Sequence, residues 1–330
     1  MMRRHDGSWD RFDDYVIDFA VERREAGEQI AIVTLVKIEG SSPRPLGAQM
    51  AVSASGQWVG YLSGGCIERA VVAEALSAIA QGQSRRVRYG RGSKYLDIHL
   101  PCGSAIELVF DVNVAKADIV AVDRNIRARR HASLPVPDQG GALGEMVREY
   151  SPRRRLIAFG VGPATVHLTR LAQMSGFETI LYSPDHETIA VSESGGLTAL
   201  GIESTTAVPD FDADANSAIV FMFHDHDWER RFLPAALDTA AYYIGAMGSR
   251  RTHVQRLASL EALGIDPIKL GRIRGPAGLF SAAKSAPDIA MSILAEIMQI
   301  ERGLNQASLV FRKTLQGVGH RSNRHRGFML

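Results

Sequence analysis

Apolar residues at Trp9, Phe12, Val16, Phe19 and Ala20 recur at helical spacing and stop before Gly27, so an amphipathic helix is predicted there. Ile30–Ile38 is largely apolar and reads as a buried strand. The loop after it, Glu39-Gly-Ser-Ser-Pro-Arg-Pro-Leu-Gly47, cannot be helical, because each proline removes a donor and restricts the residue before it. Short strands are expected at Gln49–Ser53 and Trp58–Leu62, separated by Ser55-Gly56. A helical period follows through Ala70, Val71, Ala75, Leu76 and Ile79, and Arg86–Tyr89, Tyr95–His99 and Ala105–Val112 read as further strands. Pro101-Cys102-Gly103 forms a tight turn between the last two.

From about Val114 to Arg155 the periodicity fades while Pro, Gly and Arg rise, the composition of a linker. Beyond it, strands at Leu156–Phe159, Phe177–Tyr182, Ala218–Phe223 and Tyr242–Ile244 alternate with helices at Ala164–Met174, Trp228–Leu237 and Arg251–Leu263. That alternation implies right-handed βαβ units and a parallel sheet covered on both faces. A last helix opens on Ser285-Ala-Pro-Asp288, a capping pattern with Asp in the Glu/Gln position, and continues through Ile289, Ile293, Ile297 and Ile300. The expected fold class is α/β. An amino-terminal mixed α/β domain (1–113) and a linker (114–152) precede a doubly wound parallel sheet (153–303). A basic tail (304–330) follows, expected to be disordered.

Composition narrows the function. At 330 residues the chain exceeds a single core, and 45% hydrophobic with 22% charged residues is ordinary for a globular protein. A formal net charge of +2 supports neither nucleic acid nor a membrane surface as partner. The apolar runs Ile30–Val36 and Ala218–Phe223 are too short to span a bilayer, and the first residues are charged, so neither a membrane anchor nor a secretory signal is expected. Two cysteines make neither a disulfide scaffold nor a zinc knuckle, and a reducing cytoplasm is the expected location.

Candidate chemistry gathers on loops. Cys66 follows Gly64-Gly65 and precedes a helical pattern; unpaired N–H groups and the helix dipole there would favour a thiolate. It is read as a ligand or reactive sulfur, with a small buried hydrophobe as the alternative. Gly160-Val-Gly162 lies between a strand and a helix, but Thr165 replaces the third glycine of a dinucleotide fingerprint and Ser183 stands where the ribose-binding acid belongs. This supports a doubly wound fold and argues against NAD. In such a sheet ligands bind at the carboxyl ends of the strands, here Gly160–Pro163, Ser183–His186, His224-Asp225-His226-Asp227 and Gly248-Ser-Arg-Arg251. Ser249 is the expected N-cap, with Arg250 and Arg251 placed against the helix dipole unless a phosphate offsets the cost; splaying into solvent is the alternative. His224 and His226 fit hydrogen-bonding roles better than metal ligation, since neighbours at a strand end point apart. Arg44, between Pro43 and Pro45 and close to Ser41 and Ser42, is either a second anion contact or a solvated loop residue. The Arg127–Arg130 run reads as solvated surface or as an anion contact.

Several of these motifs occur together in one known family. Val33-Thr-Leu-Val-Lys-Ile-Glu-Gly-Ser-Ser-Pro-Arg-Pro-Leu-Gly47 and Leu62-Ser-Gly-Gly-Cys-Ile-Glu68 resemble the amino-terminal signature of the XdhC/CoxI family, and Pro101-Cys-Gly103 before a Glu107-bearing strand resembles its second cysteine motif. Tyr243-Ile-Gly-Ala-Met-Gly-Ser-Arg-Arg251, Ala290-Met-Ser-Ile-Leu-Ala-Glu-Ile297 and His224-Asp225-His226 resemble its Rossmann-like domain. The chain departs from the family at Gly162-Pro-Ala-Thr165, at Ser183-Pro-Asp185 and at Phe280. The resemblance implies a maturation factor for molybdenum hydroxylases of the xanthine dehydrogenase or aldehyde oxidoreductase type. Such a factor binds the molybdenum cofactor (molybdopterin, with the cytosine dinucleotide form left open), assists its sulfuration by a cysteine desulfurase and delivers it to the apo-enzyme. Cys66 and Cys102 are then the contacts to the molybdenum, with Ser41, Ser42, Arg44, Gly64, Gly65, Gly160, Gly162, His224, Asp225, Ser249, Arg250 and Arg251 as the surrounding binding residues. A homodimer is compatible with this reading. The rivals are an NAD(P)-dependent oxidoreductase, disfavoured by the missing ribose acid, and a docking protein without cofactor.

Overall fold

Apolar side chains on both faces make β1 (Ile30–Glu39) the centre of the amino-terminal half. The protein's structure, a computed structural model, describes residues 15–65, 67–93, 104–137, 145–280, 283–304 and 309–312. β1 pairs antiparallel with β2 (Gln49–Ser53) and β5 (Ala105–Asp111), and β3 (Trp58–Gly60) and β4 (Arg85–Gly90) complete the order β3-β2-β1-β5-β4. Val33, Leu35, Met50 and Leu108 bury one face against α2 (Glu68–Gln81). Ile30, Ile32 and Ala51 bury the other against α1 (Ile17–Glu25) and α3 (Lys116–Arg127). Strands β1, β3 and β4 end, and β2 and β5 begin, at one edge, so the loops 40–48 and 61–67 project together from that edge.

The stretch expected as a linker is folded. It contains α3, β6 (Ala132–Val136) and β7 (Glu145–Tyr150). Its periodicity is hard to see because α3 buries only Ile119, Val122, Asp123 and Ile126, and the strands are short. A register shift between Leu35 and Lys37 turns Val36 toward Val109, Val136 and Met146, which joins the first sheet to β6 and β7. Inside this contact Tyr150 donates to Gln49 Oε1 at 2.8 Å, and Gln49 Nε2 donates to Thr34 Oγ1 at 2.9 Å. Burial pushes the Tyr150 hydroxyl up to about 12. Part of the expected disordered tail is also ordered: β14 (Leu309–Arg312) returns from the far half and pairs antiparallel with β7. Trp9, Phe12 and the strand expected at Tyr95–His99 lie outside the described residues.

The second half is the doubly wound sheet. Its parallel strands β8 (Arg155–Gly160), β9 (Glu178–Ser183), β10 (Thr198–Gly201), β11 (Ser217–Met222), β12 (Tyr243–Ala246) and β13 (Ile273–Arg274) stand in the order β10-β9-β8-β11-β12-β13. This is the dinucleotide-fold order, with its switch point between β8 and β11. Helices α4 (Pro163–Met174) and α9 (Ala286–Leu304) cover one face and α6 (Glu229–Leu237) and α7 (Arg250–Ala262) the other. Helix α5 (His186–Ser194) follows β9, and α8 (Pro267–Leu270) lies beyond α7. The Phe159 ring stacks between Tyr182 at 4.9 Å and Phe221 at 5.1 Å, which binds the three central strands together.

The halves meet at the amino-terminal edge of this parallel sheet. There Arg129 donates to Asp214 through Nε at 2.8 Å and Nη2 at 2.9 Å, and through Nη1 to Glu178 at 2.8 Å. A cleft of about 690 Å³ lined by Tyr15, Asp123, Arg129, Arg153 and Phe177 marks the junction. The arginine run is therefore neither plain surface nor an external anion site at Arg129. A strand of this length puts the junction ~20 Å from the opposite, ligand-type edge.

Candidate functional site

Glu68 organises the loop edge of the amino-terminal sheet. It is the first residue of α2 and only 2% exposed. Its Oε1 accepts the N–H groups of Leu62 at 3.0 Å and Ser63 at 2.8 Å. Its Oε2 accepts the Ser63 hydroxyl at 2.9 Å and the N–H groups of Gly65 at 2.9 Å and Ile67 at 3.2 Å. Ser63 Oγ in turn accepts from Ile67 N at 3.1 Å. Gly64 and Gly65 have φ of 82° and 115°, a backbone that folds the loop around the carboxylate and that residues with a Cβ rarely adopt. Burial alone would raise the Glu68 carboxyl. The N–H groups of Ser63 and Leu62 and the Ser63 hydroxyl outweigh it and hold the group below its ordinary range.

The N–H groups of Gly65 and Ile67, on either side of Cys66, are both taken by the Glu68 carboxylate. Cys66 and Cys102 themselves lie outside the described residues. Their described neighbours do share the edge: Gly65 and Ile67 flank one, and Ser104 follows the other at the start of β5. A Cβ on Gly40 would lie 3.2 Å from Ser104 Cβ, so the loop after β1 sits against that segment.

Arg44 is not splayed into solvent. Its guanidinium lies 4.3 Å from the Tyr61 ring centroid and Nη1 donates to Tyr61 Oη at 3.0 Å, tying the two loops together. Ser42 Oγ accepts the Arg44 N–H at 3.2 Å, whereas Ser41 is exposed. Beneath this edge Glu107 accepts from Arg86 at 2.7 Å, Lys37 at 3.2 Å and Arg88 at 3.3 Å. Arg88 and Lys37 pull the neighbouring Glu39 carboxyl down to about 2.

In the parallel sheet the expected loops occupy the carboxyl edge, but their donors are largely engaged. A Cβ on Gly160 would lie 2.7 Å from Met222 Cβ and 2.7 Å from Thr165 Oγ1, so glycine is required there. Thr165 is buried and donates to Val161 O at 3.1 Å. Gly162 has φ 84° and its N–H donates to Thr188 Oγ1 at 2.9 Å. Ser249 caps α7 as expected, accepting from Thr252 N at 3.1 Å, and Arg250 and Arg251 are exposed in the first turn. His224 and Asp225 are exposed; Asp225 Oδ1 accepts from Asp227 N at 3.0 Å. His226 Nδ1 lies 3.0 Å from Glu229 Oε2, and Glu229 is locked to Arg256 by bonds of 2.7 and 3.0 Å. That is the hydrogen-bonding histidine expected from the strand end. Among the described residues no group of His, Cys, Asp or Glu could hold a metal ion, and no helix is long and apolar enough to cross a membrane.

Sequence reasoning missed three residues that shape these loops: Glu68, Tyr61 and Thr188. The signal for Glu68 was an acid at the first helical position, three residues after a double-glycine turn.

The fold and loops describe a doubly wound domain joined to a glycine–cysteine loop domain. Family models match both parts: an XdhC Rossmann domain over residues 156–297 and the XdhC and CoxI family over residues 23–90. The chain is 31% identical over 303 residues to the molybdenum cofactor insertion chaperone PaoD of Escherichia coli (strain K12), covering 87% of this chain and 89% of that one. It therefore belongs to the XdhC and CoxI family. A protein of Bacillus subtilis (strain 168) named as a probable xanthine dehydrogenase subunit is 24% identical to it over 332 residues, covering 84% of this chain and 95% of the relative. A crystal structure described as a xanthine dehydrogenase from Bacillus halodurans has the same fold, with a TM-score of 0.71 at 22% identity over 88% of this chain and 97% of that one.

Proposed function

We propose that this chain is a maturation factor that takes the molybdenum cofactor as cargo, assists its sulfuration by a cysteine desulfurase and delivers it to an apo molybdenum hydroxylase. The relatives named for molybdenum cofactor insertion and as a probable xanthine dehydrogenase subunit support a maturation role. The observation that carries the reading is the Glu68 cradle. One fully engaged carboxylate holds the exposed glycines Gly64 and Gly65 in a fixed turn, at the sheet edge that also carries Ser104, two residues after Cys102. A loop ordered in advance loses little freedom on binding. Soft sulfur from Cys66 and Cys102 suits the metal–sulfur end of the cargo. Ser41, Ser42 and the Tyr61-stacked Arg44 border that end. In the other half, the exposed Arg250 and Arg251 are the contact for a phosphate.

The test is to purify the protein from molybdenum-replete cells and measure molybdenum by mass spectrometry and pterin by fluorescence after oxidation. About one of each per chain is expected, with losses in Cys66→Ala and Cys102→Ala. Full retention in the double variant removes the cysteines from the mechanism. A wild-type protein that binds apo-hydroxylase but carries neither molybdenum nor pterin is a docking protein instead.

A further inference from the structure

In a dinucleotide-binding loop, the second glycine and the first residues of the following helix point their N–H groups at a diphosphate, and an acid after the second strand takes the ribose hydroxyls. Here each of those groups has another fate. The Gly162 N–H donates to Thr188 Oγ1 at 2.9 Å. The next residue, Pro163, opens α4 and has no N–H. The Thr188 hydroxyl donates its one proton to Asp185 Oδ2 at 2.5 Å, which turns a lone pair toward Gly162, and the Thr188 N–H reaches the same oxygen at 2.8 Å. Asp185 is the first acid after β9, and it is committed to capping α5. Those bonds from Thr188 also hold its carboxyl below the ordinary range, so it stays a charged acceptor at neutral pH. Thr188 is 3% exposed, which fixes its hydroxyl in place.

We infer that Thr188 is a specificity-determining residue: its hydroxyl fills the place of a phosphate oxygen on the glycine loop and closes that loop to nucleotide diphosphates. The conclusion concerns this loop alone and stands whether or not the chain carries molybdenum cofactor. Oxygen for oxygen, the internal hydroxyl satisfies the glycine N–H, and Asp185, the first acid after β9, holds that hydroxyl.

The experiment follows the Gly162 amide by ¹⁵N–¹H NMR while ADP is added to the full-length protein. In the wild type and in Thr188→Ser the Gly162 resonance stays in place up to millimolar ADP. In Thr188→Ala the freed N–H becomes available to the diphosphate, a charged acceptor worth roughly a tenfold or greater gain in affinity. The Gly162 resonance then moves with ADP, and its amide exchanges faster without ligand. Should the alanine variant not fold, Thr188→Val keeps the buried bulk while removing the acceptor, and the same fast exchange and the same response, to inorganic pyrophosphate, are required. A wild-type Gly162 that responds to ADP as readily as the alanine variant overturns the inference. So does a folded variant whose Gly162 never responds.

Discussion

Replacing Glu68 with glutamine preserves the size of the side chain and removes its charge, which makes it the sharpest test of the loop cradle. Each carboxylate oxygen serves a different part of the loop: Oε1 takes Leu62 and Ser63, and Oε2 takes Gly65, Ile67 and the Ser63 hydroxyl. The single amide oxygen of glutamine can serve one set, and its NH₂ group then faces the donors of the other. Two backbone N–H groups therefore lose their acceptor altogether, at roughly 1.5–3 kcal/mol each when buried. Water can reach Gly65, which is exposed, so a net loss of about 3 kcal/mol is the working figure. Melting of the amino-terminal half should fall by about 6–12 °C. Amide exchange measured by mass spectrometry over residues 60–70 should accelerate before the rest of the half opens.

The pH dependence gives this prediction a second arm. The Glu68 carboxyl is lower in the folded protein than its ordinary value of 4.5. Its contribution is thus complete above that value and is lost as pH falls through the folded one. The gap between wild type and Glu68→Gln should hold steady from about pH 6 to 8 and narrow below about pH 4. A glutamine variant with unchanged melting and unchanged exchange over residues 60–70 would refute the cradle.

Two further outcomes follow from the geometry. Arg129 has φ 53° at the end of α3 and a side chain only 10% exposed between Asp214 and Glu178. Arg129→Ala should cost about 2–4 kcal/mol through loss of the two-pronged pair, and Arg129→Gly about 1 kcal/mol less because glycine relieves the left-handed backbone; equal melting of the two variants in a thermal scan removes the strain argument. Replacing Arg250 and Arg251 together with alanine should leave melting unchanged or slightly raised, since each opposes the α7 dipole by roughly 0.3–1 kcal/mol at most, while molybdenum and pterin retention falls; lower melting with full retention makes them structural instead.

Strong periodicity made much of the fold legible. Ile30–Ile38, Ala218–Phe223 and the Ile289–Ile300 helix were all visible because long apolar runs leave few alternatives. Helix α5 and strand β10 were not, because α5 buries little beyond Thr188 and Ser192 and β10 is four residues long. The linker expectation failed for a related reason. Residues 114–137 and 145–152 pack through small contacts, and Arg129 makes a junction that no periodicity encodes. At the loop edge the sequence pointed to Gly64, Gly65 and Ser249, whose roles follow from backbone conformation and capping. It could not tell which anion the head of α2 holds, because that depends on a side chain folding back on its own loop.

The same physics recurs across the molecule. Helix starts attract negative charge, and the sequence offered three of them to an external anion. At each, the chain itself takes at least one donor: the Glu68 carboxylate at the head of α2, the Thr188 hydroxyl on Gly162 before α4, and Ser249 on Thr252 N at α7. What remains for an arriving phosphate is side-chain charge, chiefly Arg250 and Arg251, which are solvent-exposed. Contacts of that kind are screened by salt, whereas a buried nest of N–H groups holds its anion far more strongly. If the proposed function holds, a grip made of exposed arginines would release its cargo quickly, because affinity differences lie mostly in the off-rate.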